Sequence, residues 1–150
     1  MKVSKEGIGL IKYFEKFIPK PYLDAVGIAT IGVGFTFYPD GKRVTMQDSE
    51  MSIQEADLIL DQILTKNFVP HLPNVSQNKF DALASLIYNI GATNFNKSTL
   101  LKKVKANPDD PTIADEIKKW NKATKNGKLI ILNGLTKRRE KEVELYFKKL

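Results

Sequence analysis

The sequence predicts an α+β chain of two lobes, a small antiparallel sheet and a mostly helical C-terminal half, joined by a long helix. Three observations carry this reading. After Phe17 the apolar spacing changes from helical to alternating, with β-branched residues and turn glycines. Ser52-Ile53-Gln54-Glu55 is a capping box, and Ala56, Ile59, Leu60, Ile63 and Leu64 behind it keep helical spacing towards Pro70. Beyond Ser76 helical patterns predominate, with short breaks between them. At 150 residues and 42% hydrophobic content, the chain buries a core without a metal or disulfide staple.

The elements follow in order. Ser4 reads as the N-cap of a first helix that runs to about Phe17, with Val3 placed to staple onto Ile8. The sheet is expected over roughly 21–46, and Tyr38-Pro39-Asp40-Gly41 closes its second hairpin. Ser76 caps a helix bearing Phe80, Leu83, Ala84 and Ile87, which Asn89-Ile90-Gly91 stops. Shorter helices are expected over 98–106 and 112–121, separated by residues 107–111. Residues 123–134 read as loop, with Leu129-Ile130-Ile131-Leu132 expected to tuck into the core. The last helix starts near Leu135, with a stripe of Leu135, Val143, Tyr146 and Leu150. We expect one domain over 1–150, with a sheet lobe at about 18–50. The helical lobe covers about 70–150, and the N-terminal helix packs against it.

Glu15 is the most informative residue. Counting back four and seven residues reaches Ile11 and Ile8, the centre of the first helix's apolar stripe. A carboxylate there is half desolvated, which raises its pKa, and a protonated acid near neutral pH suits protonation of a poor leaving group. The plainer alternative is a residue at the stripe edge that reaches solvent. Asp24 follows where a strand meets a turn, and Thr30 six residues later on the returning strand. Two carboxyls facing each other across a helix–sheet cleft are the working pair of a glycosidase, although Asp24 also suits a turn-forming role. Gly32 and Gly34 weaken a strand unless something approaches the backbone closely, whether a sugar chain or a bulge.

Composition narrows the chemistry further. With no cysteine, thiolate nucleophiles, disulfides and Cys-ligated metals are excluded, and the lone His71 between prolines reads as a solvated loop residue. No phosphate-binding glycine loop is present, so neither metal nor cofactor is expected. Oxygen acids are left to do the work.

The block Phe14-Glu15, Asp24, Gly27 and Thr30-Ile31-Gly32-Val33-Gly34 resembles the phage-type lysozymes, the muramidases of glycoside hydrolase family 24. The similarity continues through Gln77–Leu83, Asn89-Ile90-Gly91, Phe95 and Ser98–Leu101. It ends in Trp120, Ala123, Gly127-Lys128, Gly134-Leu135, Arg138-Arg139 and Glu142. One departure is Phe35, where the family often carries His. The resemblance implies a lysozyme-like two-lobed fold. It implies Glu15 as general acid on the bond between N-acetylmuramic acid and N-acetylglucosamine, with Asp24 and Thr30 holding a water on the opposite face. Inversion at the sugar requires a carboxyl gap of roughly 6.5–9.5 Å, against about 5–5.5 Å for retention. Tyr22, Gly32, Gly34 and Phe35 are expected near the substrate by their proximity in sequence.

Arg139 falls on the last helix's stripe, four residues from both Leu135 and Val143, and a buried Arg needs an acceptor. Arg139, or Arg138 beside it, is expected to approach Glu15 and hold it; the alternative is a snorkelling surface side chain. Residues 102–150 hold fourteen basic and seven acidic side chains, while 1–101 hold ten of each, so the whole +7 excess lies in the C-terminal part. Such a lobe attracts a polyanion, cell wall or nucleic acid, or is simply a solvated surface. Trp120 among lysines suits either sugar stacking or core packing. The longest purely apolar run is four residues, 129–132, so we expect no signal peptide and no membrane insertion. The expected partner is the glycan strand of peptidoglycan, not nucleic acid, met by a monomer. Synthesis is expected in the host cytoplasm, with release to the wall by a holin, as the resemblance implies, or by another delivery system. A lytic transglycosylase and a non-catalytic basic wall-binding module are the rival readings. The paired Asp24 and Thr30 argue against the first, and the second leaves the Glu–Asp–Thr spacing unexplained.

Overall fold

Ser4 starts the first helix, α1 (Lys5–Glu15), in two ways at once. Its hydroxyl accepts the Gly7 amide at 3.5 Å and donates to the carboxylate of Asp81, whose Oδ1 accepts the Ser4 amide at 2.9 Å. Asp81 is fully buried on α3 (Gln77–Ile90), so the cap is also a tertiary tie. Gly7 is required beside it, since a Cβ there would stand 2.8 Å from Asp81. Ser4→Ala is expected to cost about 1–2 kcal/mol, the range of a lost cap, read from the urea midpoint at unchanged slope.

The structure is a computed structural model and describes residues 1–149. The helix ends at Glu15 rather than near Phe17. Lys16 turns the chain at φ 63 while its amide still reaches the Lys12 carbonyl at 2.8 Å. The chain then enters β1 (Ile18–Leu23), antiparallel to β2 (Ala29–Gly32), with Tyr22 opposite Thr30 and Leu23 opposite Ala29. Register is irregular between Ile18 and Tyr22, where Pro19 and Pro21 have no N–H to give the ladder. Paired strand is thus shorter than the expected 21–46; beyond Gly32 only the bridges Ile31–Phe35 and Phe37–Arg43 continue it. The Tyr38–Gly41 turn forms as read, closed by Gly41 N to Tyr38 O at 2.9 Å. Tyr38 donates its hydroxyl to Asp48 at 2.6 Å; burial, and then this bond, pushes its pKa up to about 12.

Ser52 caps α2 (Ile53–Ile63), accepting the Glu55 amide at 3.1 Å. The expected single helix to Pro70 instead changes character, through a π-turn at Leu64–Phe68 and a 3₁₀ turn at Val69–His71. Pro70 has no N–H for the i→i−4 ladder, so the α pattern cannot pass it. Ser76 precedes α3 as the N-cap, though its hydroxyl makes no capping bond. From Phe80 to Ile87 every residue of α3 is buried, and α1 and α7 (Asn133–Tyr146) pack around it. After Gly91 comes α4 (Ala92–Lys97), unforeseen in the sequence, then α5 (Thr99–Ala106), capped by Ser98, and α6 (Ile113–Lys118), shorter than 112–121.

Residues 123–134 depart most from expectation. They belong largely to a hairpin, β3 (Lys122–Lys125) and β4 (Lys128–Ile131), joined by Asn126 and Gly127 at φ 53 and 75. Positive φ at both positions marks the two-residue turn that Asn-Gly favours. Leu129 and Ile131 are 67% and 61% exposed, so the 129–132 run does not tuck into the core. With only two strands, the hairpin has an outward face that no second layer covers. The last helix begins at Asn133, and its buried residues are Arg138, Arg139, Glu142, Leu145 and Tyr146. Leu135 and Val143 of the expected stripe are only half-buried, and Leu150 lies outside the described residues.

Candidate active site

Glu15 ends α1 with its side chain 19% exposed, and its Oε2 accepts Arg138 Nη1 at 2.5 Å. Of the two arginines on α7, Arg138 is the one that reaches the carboxylate. Its guanidinium is pinned on its other edges, by Nη2 to the Ser85 carbonyl at 3.1 Å and Nε to Glu142 Oε2 at 3.4 Å. The face of the guanidinium lies 5.6 Å from the Phe14 ring centroid. Adjacent helical residues point about 100° apart. Arg139 therefore turns to Glu142 Oε2 and the Trp120 carbonyl, each at 3.1 Å, and makes no bond to Glu15.

Glu142 is the hub of this network. It is fully buried, accepts the Ser85 hydroxyl at 2.6 Å, and forms a 2.6 Å ion pair with Arg139 Nε. Burial pushes its pKa up, opposed by the two guanidiniums and Ser85; burial pushes Arg139 down, opposed by Glu142. Sequence reading gave Glu142 no role and missed Ser85. The available signal was the spacing, since Arg138 and Arg139 sit four and three residues before Glu142, the distances at which helical side chains pair.

The sheet side is built by turns. Asp24 is half-buried, and its Oδ1 accepts the Val26 and Ile28 amides, both at 2.9 Å, while its backbone closes the loop through Gly27. Among the described residues no donor reaches Oδ2. Thr30 is buried and donates its hydroxyl to the Ile28 carbonyl at 2.9 Å, leaving the oxygen's lone pairs unused. Tyr22, opposite Thr30 in the ladder, has its pKa raised by burial and then by the charges of Glu15 and Asp24. It stands within electrostatic reach of both carboxylates.

Gly32 and Gly34 are explained by protein contacts. Both have positive φ, 66 and 70, in the three-residue turn that Ile31 and Phe35 close with paired hydrogen bonds. A Cβ on Gly32 would strike the Phe35 ring at 2.7 Å, and one on Gly34 would run into the Glu15 carboxyl. Phe35 itself is 2% exposed, a core residue whose edge meets a pocket of about 230 Å³. Glu15, Gly34, Phe37, Phe68 and Tyr88 also line that pocket. Tyr88 was missed as well; its hydroxyl donates to the Val33 carbonyl at 2.6 Å and ties α3 to this turn. A larger groove of about 650 Å³ between α1 and α7 contains none of these residues.

The phage lysozyme family model matches residues 12–142. The chain belongs to the phage lysozyme family. It is accordingly a glycoside hydrolase. This phage lysozyme is 38% identical over 148 residues to the endolysin of Acyrthosiphon pisum secondary endosymbiont phage 1, covering 97% of this chain and 98% of that one. Its fold superposes on the endolysin from Escherichia coli O157:H7 phage FAHEc1 with a TM-score of 0.88, at 36% identity over 98% of this chain and 94% of that one. The muramidase domain of SpmX from Asticaccaulis excentricus follows at 0.78, with 30% identity and 99% of each chain covered.

Gly34→Ala tests how closely this lysozyme's turn abuts its acidic residue. The added methyl must displace the Glu15 carboxyl, and Ala at positive φ is strained. The turnover rate is expected to fall by about tenfold or more, the scale on which misplaced groups act, with a loss of melting temperature too small to explain it. Initial rates beside a thermal melt provide the comparison.

Proposed function

We propose that this protein is an endolysin that hydrolyses the β-1,4 bond between N-acetylmuramic acid and N-acetylglucosamine in peptidoglycan, with inversion. Glu15 protonates the glycosidic oxygen. Asp24 Oδ2 and the Thr30 hydroxyl oxygen hold the water that attacks the opposite face of the ring, and Asp24 takes up its proton. Arg138 positions Glu15, and the Asp24 loop amides keep Oδ1 occupied so that Oδ2 faces the nucleophile. The observation that carries this reading is the Glu15–Arg138 pair: one half-buried carboxyl, fixed by a nearly buried cation, at the edge of a cavity. Its placement fits a donor that must hold one geometry through the reaction.

The enzyme works as a monomer with no metal or cofactor, and reaches the wall when a membrane-permeabilising holin opens the way. The decisive experiment analyses products from purified peptidoglycan strands. Hydrolysis leaves reducing muramic ends, whereas transglycosylation gives fragments lighter by one water, and proton NMR during the first turnovers reads the anomer. Inverted, hydrated products are expected, and Asp24→Asn should slow their formation by about a hundredfold or more. Anhydro products would refute the water-holding role of Asp24 and Thr30.

A further inference from the structure

We infer that the β3–β4 hairpin is a peripheral docking edge for a bilayer rich in anionic lipid. Residues paired across an antiparallel ladder share a face, so Lys122 with Ile131 and Thr124 with Leu129 form one side of the hairpin. Ala123 and Ile130 form the other side and are half-buried. The first side therefore points outward, and its two aliphatic residues are 67% and 61% exposed, with Leu132 at 37% just beyond.

Charge surrounds this aliphatic face. From Ile117 to Arg139 the sequence contains no carboxylate, and Lys118, Lys119, Lys122, Lys125, Lys128 and Lys137 are all exposed. Lys119 pairs with Glu116 at 2.8 Å; the other five pair with no carboxylate among the described residues. The edge is held in shape at its base, by Leu132 N to the Asn121 carbonyl at 2.9 Å and Asn121 Nδ2 to Thr136 Oγ1 at 3.2 Å.

Two physical effects then act together. Each lysine near an anionic surface contributes attraction that falls off within a screening length, and the aliphatic face gains by leaving water for the headgroup–acyl boundary. A lysine-rich surface serving only solubility needs no outward Leu and Ile at its centre. A phosphate or carboxylate polymer would use the lysines and gain nothing from the aliphatic pair. Lipid uses both. The association is peripheral, since among the described residues no helix is long and apolar enough to cross a membrane.

The test is co-sedimentation of the full chain with vesicles of equal parts phosphatidylglycerol and phosphatidylcholine, against vesicles of phosphatidylcholine alone. The protein is expected to pellet with the first and stay free with the second. Leu129→Ser/Ile131→Ser should weaken partitioning by about tenfold with an unchanged melt, since both sites are exposed. Lys122→Gln/Lys125→Gln/Lys128→Gln should weaken it as well and flatten its dependence on salt. Failure to pellet with anionic vesicles overturns the inference. So does undiminished binding by the serine pair, which would mark a surface that reads charge alone.

Discussion

Glu15→Gln is expected to reduce clearing of outer-membrane-permeabilised bacteria by about a thousandfold or more, the scale of a lost general acid. Gln keeps the shape of the side chain and can still accept from Arg138 Nη1, so the change removes the proton and little else. Arg138 also keeps its bonds to Ser85 and Glu142, so it is not stranded, and the melting temperature should move by only a few degrees. Turbidity and melting, measured side by side on the same preparation, separate chemistry from folding. If clearing persists near the wild-type rate, the acid is another residue and the proposed mechanism falls.

The second large effect is on stability. Glu142→Gln leaves Arg138 and fully buried Arg139 facing a neutral amide, and breaking a buried pair in this way costs about 3–5 kcal/mol. Domains of this kind have about 5–15 kcal/mol in total, so about a fifth of the margin or more is at stake. Denaturant unfolding should show a much lower midpoint. Ser85→Ala, which removes one hydrogen bond to the same carboxylate, should cost about 1–2 kcal/mol. A Glu142→Gln midpoint within experimental scatter of wild type would mean that the two arginines find solvent or other acceptors.

How much of this was legible depended on whether neighbours along the chain or neighbours in space decide the matter. Ser4 and Ser52 act through amides three residues ahead, so their caps could be read directly, as could the Tyr38–Gly41 turn. Glu15 betrayed itself by sitting on an apolar stripe. The choice between Arg138 and Arg139 could not be read, because it rests on the angle at which α7 docks against α3. Glu142 escaped for a related reason. On α7 the buried face is itself charged, so counting apolar positions gave Glu142 no role and promoted Leu135 and Val143 instead. The hairpin was misread from a run of four aliphatic residues that looked like core, although Asn126-Gly127 carried the turn signal. Gly32 and Gly34 were rightly singled out, and their positive φ with the close approach of Phe35 and Glu15 requires glycine at both positions.

The anchoring of α1 has a mechanical consequence. One extremity is fastened to Asp81 and the opposite extremity to Arg138, and both anchors belong to the helical body. The Glu15 carboxyl is thus held to the helical body from both ends of its helix, while the turn and loops facing it are tied to that body by Tyr88–Val33 and Lys66–Pro39.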